Sequence, residues 1–126
     1  MKLHPDIVNA PIISGYGTGW IGIGNEKVHA STVISSSGQR IAWHCDAFEQ
    51  LGPDHFAQLA SLGSELVIFG SGLRLRFPQA AWLQALIERR IGIETMDTQA
   101  ACRTYNILAG EGRNVVAALL IERSSG

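Results

Sequence analysis

Several short groups of residues in this chain carry chemistry that could bind or react. Gly70-Ser71-Gly72 follows an unbroken apolar run, Leu66-Val67-Ile68-Phe69. Such a run reads as a parallel strand covered on both faces, and ligands of open α/β sheets gather at the carboxyl ends of such strands. Asp97-Thr98 closes the next strand-like segment, Ile93 to Met96, so the two bends are expected to line one crevice. Arg74 and Arg76 lie close enough in sequence to bring positive charge to it. The chemistry implied is a small-anion site of backbone N–H groups, a helix N-terminus and an arginine. The competing reading is structural: Ser71 shapes a turn, and Asp97 or Thr98 caps a helix. A nucleophilic Ser71 is disfavoured, because there is no G-x-S-x-G elbow and no histidine follows it.

Other groups are weaker. Gly17-Thr18-Gly19-Trp20-Ile21-Gly22 matches G-x-G-x-x-G, but the dinucleotide fingerprint needs those glycines between a strand and a helix. Here they run into a strand and hairpin, where glycine permits a bulge or close packing. His44 and Asp46 point to one strand face with Cys45 opposite, so the three cannot share a metal from a regular strand. No metal or other cofactor is expected. Arg103, Thr104, Asn106, Glu111 and Arg113 form a polar cluster beside Tyr105. On a helix, Ala101 and Tyr105 define the packed side and Arg103 neighbours Asn106. The cluster reads either as a solvated face, with Glu111 paired to Arg113 or Arg103, or as a recognition surface. In the second reading Tyr105, Glu111 and Arg113 contact a protein, since Tyr and Arg are enriched at interface hot spots. Tyr105 or Arg103 could equally serve self-association.

These groups need elements to hold them. Tyr16–Gly24, Val28–Ser35 and Gln39–Asp46 read as antiparallel strands, the last alternating Ile41, Trp43 and Cys45 against Arg40, His44 and Asp46. Pro53 opens a short helix with Phe56, Leu59 and Ala60 at helical spacing. From residue 65 the order is β-α-β-α-β. One helix opens at Pro78 with an apolar stripe of Leu83, Leu86 and Ile87, carries Arg89 and Arg90 near its end, and stops at Gly92. A second starts at Asp97 or Thr98 and ends at Gly110 and Gly112, before the strand Val115–Ile121. Right-handed crossovers make the three strands parallel, with both helices on one face if the strands run in simple order. The expected fold is a single α/β domain over 1–126 with a mixed sheet: N-terminal antiparallel strands, then a C-terminal parallel β-α-β-α-β unit. Its core spans about 9–122 and its tail, 123–126, frays.

Composition narrows the function classes. The chain has 126 residues, 46% hydrophobic and 17% charged, which is globular. Ten Lys+Arg against eleven Asp+Glu leave a net charge of −1, without the basic excess that holds a phosphate backbone, so nucleic acid is not an expected partner. The longest apolar run, Val115 to Ile121, is far short of the roughly 20 residues that span a bilayer, so membrane insertion is not expected. The start, Met1 to Ile13, lacks a signal or transit pattern, and Cys45 and Cys102, without a CxxC pairing, read as two buried thiols in preference to one structural disulfide. The expected compartment is the cytoplasm.

One stretch is family-specific. Met96-Asp97-Thr98-Gln99-Ala100-Ala101-Cys102-Arg103-Thr104-Tyr105-Asn106-Ile107-Leu108, followed by Glu111-Gly112-Arg113 and Val116-Ala117-Ala118-Leu119, resembles the signature of the Mth-domain family. Tyr16-Gly17-Thr18-Gly19, Trp43, Gly70-Ser71-Gly72 and Phe77-Pro78 fit as well, so the likeness covers about residues 9–122. Ser71 departs from the threonine more usual there, which weakens any role for its hydroxyl. The resemblance implies a small α/β fold with no established enzymatic activity or cofactor. It also implies action through protein partners, since a mitochondrial member serves in assembly of respiratory complex I. The expected function is thus a non-catalytic protein-interaction or assembly-accessory domain. The alternative is a small-anion or metabolite-binding domain, or an enzyme, using Gly70, Ser71, Gly72, Asp97, Thr98, Arg103 and Asn106. A homo-oligomer is compatible with either.

Overall fold

The computed structural model describes residues 10–123. Expectations for the leader region and for the tail at 124–126 lie outside those residues. The described residues form eight strands in two sheets. Strands β1 (Ile13–Gly17), β2 (Trp20–Ile23) and β3 (Glu26–Val28) make an antiparallel sheet in sequence order. The larger sheet joins β4 (Thr32–Ser35), β5 (Arg40–Ala42), β6 (Leu66–Gly70), β7 (Gly92–Met96) and β8 (Val115–Leu119) in the order β5-β4-β8-β6-β7. Strand β8 runs antiparallel to β4 and parallel to β6, and β6 runs parallel to β7, so the sheet is mixed as expected.

The central strands are apolar throughout because both faces are covered. Val67 and Phe69 of β6, with Val116 and Ala118 of β8, face one core. Ile68, Val115, Ala117 and Leu119 face the other. On the first side lie helix α1 (Pro53–Ala60), a 3-10 turn at Ala80–Leu83 and the short helix α2 (Gln84–Glu88). Trp43, Phe56 and Phe69 meet edge to face there, with ring centroids 5.3–5.9 Å apart. On the second side lie α3 (Thr98–Gly110) and the small sheet, which contributes Ile13, Ile21 and Ile23.

The parallel strands do not run in simple order. The chain steps from β6 outward to β7, then back across β6 to β8. Two right-handed crossovers in opposite directions place their helices on opposite faces, so α2 and α3 flank the sheet rather than sharing a side. The connections from β6 and β7 therefore part to opposite faces at their carboxyl ends, which is where open α/β sheets form a crevice.

Smaller departures have local causes. The segment read as Val28–Ser35 breaks at His29-Ala30-Ser31, because the chain changes sheet there. Ile87 is 62% exposed, since the Pro78 helix begins as a 3-10 turn and its stripe rotates away from the core after Leu86. Helix α2 ends on Arg90 in a left-handed conformation (φ 56°), and Gly92 belongs to β7. Cys45 and Cys102 are buried free thiols on opposite sides of the sheet.

Candidate functional site

The register of β6 and β7 sets Gly70 beside Met96, so the bends that follow each strand are neighbours. Ser71 N–H donates to the Met96 carbonyl at 2.8 Å, and Thr98 N–H donates to the Gly72 carbonyl at 2.9 Å. The Thr98 hydroxyl accepts from Gly72 N–H at 2.9 Å and donates to the Leu120 carbonyl at 2.8 Å. One buried side chain thus ties three strand ends together. Gly72 has φ 103°, and a Cβ there would fall 2.4 Å from the Glu122 carboxylate.

Ser71 is fully buried. Its hydroxyl donates to the Arg74 carbonyl at 2.8 Å and accepts from Arg76 N–H at 3.0 Å, so it shapes the loop. Arg76 folds inward, donating from Nη2 to the Ser71 carbonyl at 2.8 Å and pairing with Glu122. Its guanidinium lies 4.7 Å from the Phe48 ring centre. Asp97 caps α3 by accepting from Ala100 N–H at 2.9 Å. The Ser71, Gly72 and Thr98 N–H groups and Nη2 of Arg76, donors the anion reading would use, already serve protein acceptors, while the buried Arg76 Nε has none.

A cleft of about 250 Å³ does open at these strand ends. Gly72, Asp97 and Thr98 form one wall, and the β1–β2 hairpin, through Tyr16 and Trp20, forms the other. Glu122, just beyond β8, closes its end. Arg103 and Asn106 do not line it. Sequence reasoning missed Tyr16, Trp20 and Glu122. The signal available was the aromatic residues bracketing Gly17-Thr18-Gly19, since the glycines let the hairpin fold over a ring: a Cβ on Gly17 would sit 2.3 Å from Trp20 Nε1.

The polar cluster around α3 divides between the surface, with Arg103, Glu111 and Arg113 exposed, and the interior, with Tyr105 buried. Tyr105 is fully buried and donates its hydroxyl to the Pro11 carbonyl at 2.8 Å, so it presents no contact surface, contrary to the interaction reading. Arg103 donates to the Tyr16 hydroxyl at 2.9 Å, and Asn106 bonds the backbone of Ile13. All three fasten residues 11–16 onto α3. Arg113 pairs with Glu65 at 2.8 Å rather than with Glu111, because the turn after α3 points it toward the start of β6. Burial pushes the Cys45 thiol up to about 11 and the Cys102 thiol up to about 12, so neither is a poised nucleophile. Among the described residues no three metal-capable side chains converge, and no helix is long and apolar enough to cross a membrane.

Comparison with known proteins agrees with this architecture. A family model described as "Protein of unknown function (DUF498/DUF598)" matches residues 13–120. A crystal structure of a Bordetella parapertussis protein superposes with a TM-score of 0.84 at 32% identity, covering 90% of this chain and 97% of that one. The solution structure of a Bordetella pertussis protein described as a Mth938-like domain gives 0.82 at 27% identity, covering 99% and 95%. Human NADH dehydrogenase [ubiquinone] 1 alpha subcomplex assembly factor 3 is 31% identical over 121 residues, which is 94% of this chain and 65% of that protein.

Proposed function

We propose, from the premise that this chain belongs to the DUF498/DUF598 family of proteins of unknown function, that it is a non-catalytic accessory in assembly of a protein complex. The observation that carries this reading is the likeness to the human assembly factor across nearly the whole chain. Respiratory complex I is the complex proposed, and protein partners are the means. The chain spans 65% of that relative's length, so the role assigned is that of the shared domain. The ligand-binding alternative gains no support from the strand-end bends, whose Ser71, Gly72 and Thr98 N–H groups are bonded within the protein. Two buried, unpaired thiols fit the reducing cytoplasm as the place of action.

The test is deletion of the gene in its own host, with complex I resolved on native gels. Loss of mature complex and accumulation of subassemblies, restored by the wild-type chain, is the expected result. Normal complex and normal NADH oxidation in the deletion strain would refute the role.

A further inference from the structure

Three large apolar side chains stand in solvent on one short segment between β6 and the Ala80–Leu83 turn. Leu73 is 66% exposed, Leu75 51% and Phe77 69%. The segment is not loose. Ser71 Oγ holds the Arg74 carbonyl and the Arg76 N–H, and the inward Arg76 guanidinium bonds the Ser71 carbonyl and Glu122 while lying over Phe48. A basic side chain is thus turned into the protein while its apolar neighbours face water, the reverse of ordinary surface patterning. Leu73 also borders the 250 Å³ cleft, so ridge and cleft are one continuous surface. Large apolar side chains exposed this close together mark a contact site.

The charge of the cleft says what covers it. Its wall carries the carboxylates of Asp97 and Glu122 and no lysine or arginine. Glu122 is matched by Arg76, whereas Asp97 makes no ion pair among the described residues and only feels the charge of the more distant Arg103. Arg74 is exposed between the leucines, so positive charge on a partner is disfavoured along the ridge and favoured toward the Asp97 carboxylate.

We infer that the Leu73–Leu75–Phe77 ridge and the adjoining cleft form one docking face for an apolar segment of a partner protein, with a lysine or arginine of that segment entering the cleft toward Asp97. This rests on the assembly reading and specifies its contact surface. The ridge supplies apolar area, and Asp97 sets the polarity of binding.

Two synthetic peptides test it, alternating leucine and serine and ending in lysine or, in the control, glutamate. Amide shifts of the labelled protein are followed during titration. The lysine peptide is expected to move Gly72, Leu73, Leu75 and Gln99, and to bind at least roughly tenfold more tightly than the glutamate peptide. Asp97→Asn, which keeps the helix cap, and Leu75→Ser, at an exposed position, should each weaken it by roughly tenfold. Equal binding of both peptides, binding of neither, or shifts confined elsewhere overturns the assignment. So does a Leu75-dependent dimer in sedimentation, or the same shifts produced by anionic phosphatidylglycerol vesicles, since either gives the ridge another occupant. In the deletion strain, full complementation by Leu75→Ser together with Asp97→Asn would remove this face and leave the assembly role standing. An absent deletion phenotype would instead remove the role.

Discussion

Asn106 on α3 mimics a strand neighbour for Ile13 on β1: its Oδ1 accepts from Ile13 N–H at 2.9 Å and its Nδ2 donates to the Ile13 carbonyl at 2.8 Å. The first edge of the small sheet, which has no strand partner on that side among the described residues, is thereby satisfied by a helix side chain. Tyr105 and Arg103 add bonds to Pro11 and Tyr16 on the same segment. The small sheet therefore hangs on one face of α3.

Replacing Asn106 by Leu should cost about 2 kcal/mol, two ordinary hydrogen bonds with partial rescue by water. Hydrogen exchange should rise across β1 to β3 before it rises in β6 or β8. Urea unfolding read alongside exchange by mass spectrometry checks both. Uniform acceleration over the whole chain would contradict the local-anchor role.

Thr98 gives a sharper contrast. Thr98→Val keeps the shape but strands the Gly72 N–H and the Leu120 carbonyl, both bonded to its hydroxyl. A loss of about 2–4 kcal/mol is expected, because buried groups left unpaired lose their full desolvation cost. Thr98→Ser retains both bonds and should lose less than half as much. Denaturant midpoints of the two variants decide it; an unchanged midpoint in Thr98→Val with a loss in Thr98→Ser would mean the methyl, not the hydroxyl, carries the effect.

Helix α3 approaches β6 over Gly70. A Cβ there would lie 3.0 Å from Thr98 Cα and 3.1 Å from Ala101 Cβ. Gly70→Ala should therefore push the helix from the sheet and destabilise by about 1–3 kcal/mol, the usual range for overpacking. Thermal unfolding measures this, and Gly70→Ala combined with Ala101→Gly should recover part of the loss.

The buried thiols predict an alkaline weakness. In the unfolded chain a thiol ionises near about pH 8.5. Burial raises Cys45 to about 11 and Cys102 to about 12 in the folded protein. Between those values the unfolded chain has released protons that the folded chain keeps, so stability falls as pH rises. Each thiol removes up to about 1.4 kcal/mol per pH unit there, and none of this loss occurs below the unfolded value. Tyr105, also raised by burial, adds to the fall above about pH 10. Urea midpoints from neutral to alkaline pH should drop, and drop less steeply in Cys102→Ala. Both thiols should react with Ellman's reagent only on unfolding.

The residues alone made much of this legible where the signal was local. Leu66–Phe69 and Val115–Leu119 read as covered strands because an unbroken apolar run has few other stable uses. The alternation of Ile41, Trp43 and Cys45 with Arg40, His44 and Asp46 marked the buried face, although regular strand ends at Ala42. The family likeness was readable from Met96 to Arg113 because it is a pattern of side chains in a row.

What needed the folded chain was anything settled between distant segments. Which way the chain turns after β7 placed β6 in the middle of its parallel neighbours and sent α2 and α3 to opposite faces. Nothing within either helix encodes that choice. Nor could the spacing of Ser71, Thr98, Arg76 and Asn106 say whether their polar atoms faced solvent or backbone, because a hydrogen bond is spent only once, on whichever partner tertiary packing brings within reach. The sequence determined the elements and the kinship. Packing decided that those polar groups bind the protein itself, and that three apolar side chains beside them remain outside.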